Sequence, residues 1–473
     1  MKFKRFLGLN APEKLLFSNR DLLRLIWPLI VEQLLHITVG MADIMMVSTL
    51  GEASVSGVSL VDAIMILIIQ VFAALGTGGA VVASQYVGRK DEQLAGKTAR
   101  QLLYVIVVIS MILVVFGRFA QDALLSLVFG NIDKEVFAAA SRYFLWTIYS
   151  LPGVALYCGC SALFRAQGNS KISMLISVLI NILNICGNAF FLFVLHWGVE
   201  GVALPTLISR LAAAVILLFL LYRAKEYHGR TPISIRGISH VEFDFKLIRK
   251  ILYVGIPNGL ENGVFQVGKI LVLSLIATYG TCAIAANAAG NTLAMLQTLP
   301  GGACGLALLT VAGQCLGAGK PDQAAYYTKK IMVIAYSAML VLNIPLLAFC
   351  MQILRFYNMS EETTRLAWLM GMCHGFWAVI IWPISFAFPC ALRAAGEALF
   401  TMVVSVSSMW IVRIGVSYLC KYTDIFGLVE FMHWPASFGA LGVWYAMILD
   451  WWVRSFLFIV RFRQGKWKEH KLI

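Results

Sequence analysis

Charge is what this 473-residue chain has least of: Asp, Glu, Lys and Arg make up 13% of it, while 60% of its residues are hydrophobic. A soluble domain carries roughly 25% charged residues, so this chain cannot cover a wet surface of its own size. That excludes a soluble enzyme or soluble binding module. Metal-ligand spacing is missing too. The ten cysteines lie nearly all inside apolar runs, and the one close pair, Cys158 and Cys160, has no histidine or carboxylate beside it; they read as small packing residues. No Gly-x-x-x-x-Gly-Lys-Ser/Thr segment occurs, which argues against an ATP-driven pump. Neither His-Glu-x-x-His nor Gly-x-Ser-x-Gly is present, so no enzymatic reading and no resident cofactor is expected. A cleavable leader is not expected either, because the first apolar run, Leu22 to Leu50, is too long and lacks a small-residue cleavage site.

What is present is apolar length. At ~20 residues per crossing the chain holds about a dozen spans, and hydropathy places them near 24–48, 54–82, 100–117, 138–163, 171–195, 199–222, 250–278, 283–311, 331–353, 366–391, 399–420 and 439–460. The net charge of +14 then reports topology. With both termini on one side, twenty-eight of the 38 basic residues fall on that side, six on the other and four inside spans. By the positive-inside rule both termini are cytoplasmic and the span number is even. No nucleic-acid partner follows from this charge.

The chain also repeats itself. Shifted by 229 residues, Pro28 meets Pro257, Glu32 meets Glu261, Gly51 meets Gly280, Gln85 meets Gln314 and Gly88 meets Gly317 without a gap. Near the fourth loop the register slips by one, and Arg165-Ala-Gln-Gly168 overlays Arg393-Ala-Ala-Gly396. Apolar similarity alone would not keep Pro, Glu, Gln and Gly in one register. The fold expected is therefore an all-α membrane protein of twelve transmembrane helices in two parallel-repeat six-helix bundles. The corresponding division is a cytoplasmic segment 1–23, a lobe 24–222, a cytoplasmic linker 223–249, a second lobe 250–460 and a basic cytoplasmic tail 461–473. Two such bundles place a cavity at their interface and give alternating access by rocking.

At this point the residues resemble a known family. Gly79-Ala-Val-Val-Ala-Ser-Gln-Tyr-Val-Gly88 and Gly313-Gln-Cys-Leu-Gly-Ala-Gly-Lys-Pro321 look like the paired loop signatures of the multidrug and toxic compound extrusion (MATE) transporters. So do Trp27-Pro28 with Asp43 further along the helix, and Gly168 followed sixteen residues later by Asn184. The resemblance runs from about residue 20 to 460. It implies export of amphipathic, often cationic, drug-like compounds in exchange for H⁺ or Na⁺, from a cell membrane and as a monomer. One branch of that family has a glutamate eight residues after the seventh-helix proline and a tenth-helix aspartate; here Phe265 occupies the first position and the second falls near Trp382. Another pairs the first-helix aspartate with Asn-x-x-x-Asp, where this chain has Asn184 and Asn188.

A carboxylate inside a span costs ~2.5–3.5 kcal/mol even on the lenient insertion scale, so each one is a functional candidate. Glu32, His36 and Asp43 lie at i, i+4 and i+11 on the first helix, within about 40° of one another. Asp43 is the first choice for the coupling carboxyl, since an acid that alternates between apolar and wet surroundings takes up and releases a cation; the site is also where a Na⁺ would sit. Asn184 and Asn188 share one helical face, and the resemblance implies that they serve Asp43. Glu32 and Glu261 occupy matching positions four residues after a proline and act in coupling, gating or folding. Lys269 is either a cation competing with substrate for a carboxylate or half of a fixed ion pair, with Asp43, Asp62 or Glu261 as partner. Asp62 and Asn291 are matching positions and, with His36 and Lys269, candidates for the substrate cavity. Arg210 and Arg413 read as snorkelling or paired side chains. Against this exporter stands a flippase or exporter of a lipid-linked or polar metabolite, which Lys269, Arg210 and Arg413 would suit.

Overall fold

Ser18 opens the first helix by accepting a hydrogen bond from the Asp21 N–H at 3.2 Å, while Asp21 Oδ2 accepts one from the Ser18 N–H at 2.9 Å. This reciprocal box supplies partners for N–H groups that a helix start leaves orphaned. From there the chain is almost wholly helical. The computed structural model describes residues 15–130, 133–224, 232–423, 435–470 and 472–473. The basic N-terminal residues Lys2, Lys4, Arg5 and Lys14, the linker residues Lys225 and Arg230, and Lys471 lie outside the described residues.

The long helices are α1 (Asn19–Leu50), α2 (Glu52–Arg89), α3 (Glu92–Val128), α4 (Lys134–Tyr149), α5 (Leu151–Gln167), α6 (Ser170–Val194) and α7 (Glu200–Tyr222). They continue as α8 (Phe245–Ala277), α9 (Thr281–Gly317), α10 (Pro321–Ala348), α11 (Glu361–Ala394), α12 (Ala398–Lys421) and α13 (Ala436–Arg463). Eleven of these are long and apolar enough to cross a bilayer singly, and α4 with α5 form a twelfth crossing bent by 48°. The protein is thus a multi-pass, all-α membrane protein with twelve spans among the described residues. Side chains such as Phe119, Leu127, Val341 and Ile411 stand exposed, which suits lipid contact.

Two differences from the hydropathy reading have clear causes. The segment 138–163 is broken at Ser150, because Pro152 lies in the first turn of α5, where a missing N–H costs nothing. Several helices also outrun their apolar windows. At ~1.5 Å per residue the 38 residues of α2 span roughly 57 Å, against a hydrocarbon core of about 30 Å.

Contacts divide the chain into two compact units. The first comprises Phe17–Gly259 and Gly313–Gly319; the second comprises Leu260–Ala312 and Lys320–Lys471. In the first unit α1 packs along α6, α2 lies against α3, α4 and α5, and α7 closes on α5 and α6. The described part of the basic linker belongs to this unit and is tied to α3. Gln101 Nε2 donates to the Glu242 carbonyl at 2.6 Å, Tyr104 Oη donates to the Ile238 carbonyl at 2.8 Å, and Ile233 and Ile235 are buried. In the second unit α13 packs on α11 and α12, around a core that includes Val272, Leu293, Met339, Leu366, Trp444 and Trp451.

The repeat is visible inside these units. Gly51 and Gly280 link the first two helices of each half with φ of +96° and +97°, a backbone state that side chains with a Cβ rarely adopt. Glu32 of α1 meets Arg165 of α5 at 3.1 Å, and Glu261 of α8 meets Arg393 of α11 at 2.8 Å. Each pair lies within its own unit and matches the other in sequence position.

Candidate functional site

The first unit gathers a polar group around Asp43. On α6, Asn188 Nδ2 donates to Asp43 Oδ1 at 2.7 Å and to Asn184 Oδ1 at 3.4 Å. Asn184 Nδ2 in turn donates to Thr206 Oγ1 on α7 at 2.9 Å, and the Thr206 hydroxyl donates to the Val202 carbonyl at 2.9 Å. The chain of donors runs one way, from Asn188 through Asn184 and Thr206 to the Val202 carbonyl, so both amides are oriented and Asn188, at its head, also points its N–H at a carboxylate. Asn188 Oδ1 is buried without a hydrogen-bond partner among the described residues. A buried oxygen left in this way costs about 1–3 kcal/mol, a cost that a cation or a donated proton would remove.

Asp62, on α2, accepts a hydrogen bond from Tyr143 Oη at 3.2 Å. Asp62 and Arg210 both act electrostatically on Asp43, and Arg210 Nη1 donates to Ser150 Oγ at 2.8 Å, at the bend between α4 and α5. Two half-buried carboxylates and one guanidinium therefore share this part of the unit.

The remaining residues on the α1 stripe do different work. Glu32 is buried and accepts hydrogen bonds from Ser173 Oγ at 2.9 Å and Arg165 Nη1 at 3.1 Å. His36, between them, is exposed. The stripe thus splits: its two acids meet α5 and α6, and its histidine does not join them.

In the second unit Glu261 accepts from Arg393 Nη2 at 2.8 and 3.0 Å and lies 3.8 Å from Arg454. Its carboxylate is occupied by arginines, and Lys269 makes no ion pair within its own unit among the described residues. Lys269 and Asn291 instead line a cavity of about 450 Å³, together with His374 and Arg413. His374 Nδ1 lies 2.6 Å from Gln297 Oε1, and Trp444 Nε1 donates to Asn287 Oδ1 at 3.2 Å, so the polar wall is fixed. Trp382 stacks on Phe386 with ring centres 4.9 Å apart, providing an aromatic wall.

Sequence reading missed Tyr143, Thr206, His374 and Gln297 at these sites. All are polar groups inside apolar helices, which is a signal, but which neighbouring helix each would face could not be assigned from periodicity. Arg210, read from the sequence as either snorkelling or paired, stands in the middle of α7 and has an internal partner in Ser150.

Comparison with known proteins places this geometry in a wider set. The MatE family profile matches the chain twice, over residues 28–190 and 257–419; the second match begins and ends 229 residues after the first, the same shift as the repeat. The Thermotoga maritima protein named probable multidrug resistance protein NorM is 23% identical over 100% of this chain and 98% of its own length. The Bacillus subtilis protein named uncharacterized transporter YisQ is 26% identical, over 97% of each chain. Among solved structures, a MOP superfamily transporter from Pyrococcus furiosus aligns with a TM-score of 0.81 at 19% identity, covering 93% of this chain and 95% of the other. Its authors describe a binding pocket of reverse polarity that suggests a different function for that protein.

Proposed function

Since the chain belongs to the MatE family, whose profile it matches in both halves, we propose that it is a secondary active exporter of small amphipathic organic compounds. It works by alternating access in the cell membrane and is driven by entry of H⁺ or Na⁺. Asp43 is the coupling carboxyl. The observation that carries this reading is the Asn188–Asp43 hydrogen bond of 2.7 Å, made by an amide whose own Oδ1 is buried and unpartnered. One cation bound at Asp43 neutralises the carboxylate and gives that oxygen a partner. When the cation leaves, Asn188, Asn184 and Thr206 hold the free carboxylate in place and limit the reorganisation it needs. Asp62 sits near enough to compete for the same charge, and Arg210 restrains both acids from binding cations too tightly.

Glu32 and Glu261 serve a different end in this scheme. Each is committed to an arginine, so they anchor helices in their units and leave coupling to Asp43.

The test is gradient-driven efflux of a fluorescent amphipath from proteoliposomes, with H⁺ and Na⁺ gradients imposed separately. Wild type should respond to at least one of them, and Asp43→Asn should fall at least tenfold, to the level of protein-free vesicles. Undiminished coupling in Asp43→Asn would remove the assignment.

A further inference from the structure

Three cations surround one ring in the second unit, and two of them make no ion pair there among the described residues. Lys269 Nζ lies 5.6 Å from the centre of Phe265, Arg413 Cζ lies 5.8 Å from it, and Arg454 Cζ lies 5.7 Å from it. Arg454 is accounted for. It donates to Ser405 Oγ at 2.7 Å and stands 3.8 Å from Glu261 and 3.9 Å from Asp450. Asp450 acts electrostatically on Arg413 as well, but its Oδ1 is held by Ser408 Oγ at 2.5 Å. Lys269 and Arg413 form no ion pair within the unit among the described residues, and Arg413 Nε is buried without a hydrogen-bond partner.

Both of these free cations line the same cavity of about 450 Å³, and no acidic side chain lines it among the described residues. Its other walls are Phe265, Trp382 and Trp444, with the Asn291 amide beside them. This is the size of an ordinary small-molecule pocket. Its chemistry is an apolar aromatic box whose wall carries two positive charges, an exposed Lys269 and a half-buried Arg413, with no acid in the lining beside them among the described residues.

We propose that this cavity binds an amphipathic aromatic organic anion, a carboxylate or sulfonate on a flat ring body. The anionic group sits between Lys269 and Arg413, where the guanidinium offers paired N–H donors to two oxygens, and the ring lies against Trp382 and Trp444. An organic cation in the same place would meet two like charges in a medium of low polarity. This deepens the exporter reading and rests on it: the acids of the first unit take the driving cation, and the cargo of the second unit is an anion.

The experiment is equilibrium binding to the purified full-length chain in neutral detergent, with no ion gradient, using 2-naphthalenesulfonate and the matched cation 2-naphthylmethylammonium. Tryptophan quenching and titration calorimetry both report occupancy. The sulfonate should bind, Lys269→Gln and Arg413→Gln should each weaken it at least tenfold, and Lys269→Arg should restore most of the loss. Binding of the ammonium probe should not weaken in either Gln variant. Sulfonate affinity within twofold of wild type in Lys269→Gln, with that protein folded by its melting profile, would overturn the proposal, as would weaker ammonium binding in the same variant. Because no gradient is used, failure here leaves the Asp43 coupling test untouched, and failure of that test leaves the anion site standing.

Discussion

Arg393 turns a single guanidinium nitrogen onto both carboxylate oxygens of Glu261, at 2.8 and 3.0 Å. The partnership joins α8 to α11 where each side chain is largely shielded. Removing Arg393 leaves Glu261 buried with only Arg454 at 3.8 Å to pair with among the described residues, a loss below the ~3–5 kcal/mol of a fully uncompensated buried charge. Arg393→Met should therefore lower the melting temperature of the detergent-solubilised protein markedly, and the double variant Glu261→Gln/Arg393→Met should recover a large part of the loss. If the double variant melts no higher than the single one, the pair is not what holds these helices.

At the coupling site the prediction is one of affinity. A hydrogen bond to a charged group contributes about 1.5–3 kcal/mol, roughly tenfold to a hundredfold in a binding constant. Asn188→Ala removes the donor that fixes Asp43 and should raise the half-saturating concentration of the driving cation by about that factor, with the maximal efflux rate less affected. Arg210→Gln withdraws a positive charge from the vicinity of Asp43 and Asp62, so the same concentration should fall. Cation dependence of dye efflux reads both signs in one experiment. A shift of the two variants in the same direction would contradict the electrostatics drawn here.

The repeat showed before any geometry was known that whatever Glu32 does in one half Glu261 should do in the other, but the arginine partners came only with the structure. Glu32 and Glu261 keep the 229-residue register, and Arg165 and Arg393 keep it within one residue, so the two contacts occupy matching positions. Asp43 was legible for a different reason, since a carboxylate inside an apolar helix needs a partner, and the family resemblance is what pointed to Asn188 as that partner. What periodicity could not supply was which helices face each other. The phase of α8 puts Lys269 on a definite side of its own helix, yet the arrival of Arg413 and His374 in the same cavity depends on packing among α8, α11, α12 and α13. The break at Ser150 was missed because hydropathy sees an unbroken apolar run there and is blind to the turn that Pro152 prefers.

Two glycines of the first unit should tolerate no side chain at all. A Cβ on Gly88 would collide with the backbone carbonyl of Gln314, and a Cβ on Gly317 would collide with that of Gln85. The four residues are two matching pairs, so the contact is reciprocal. Backbone atoms cannot swing aside as a long side chain can, and overpacking of this kind costs about 1–3 kcal/mol or more. Gly88→Ala and Gly317→Ala should each lower thermal stability by that order and impair efflux, while Gly302→Ala, where a Cβ meets nothing within 4 Å, should behave as wild type. Equal behaviour of all three alanine variants would show that the close approach is not maintained.

Asp244 lies outside the spans, just ahead of α8, and supports a prediction about pH. Lys97 Nζ approaches its Oδ2 at 2.8 Å, and the amide N–H groups of Leu247 and Lys246 donate to its Oδ1 at 3.2 and 3.0 Å. The Lys97 bond first, then the Leu247 amide, hold this carboxyl below its ordinary value. A depressed carboxyl stabilises the folded form only while ionised. Its contribution is complete above the unfolded value of about 3.9 and disappears as pH falls through the lower folded value. From pH 6 to about pH 4 the start of α8 should therefore hold, and below about pH 4 it should loosen, seen as faster amide exchange at Lys246 and Leu247 by about pH 3 after correction for intrinsic rates. In Asp244→Asn the same amides should exchange faster already at pH 6 and show no further acid step. A wild-type protein whose corrected exchange is flat across that range would mean that the tie between α3 and α8 is not made by this carboxylate.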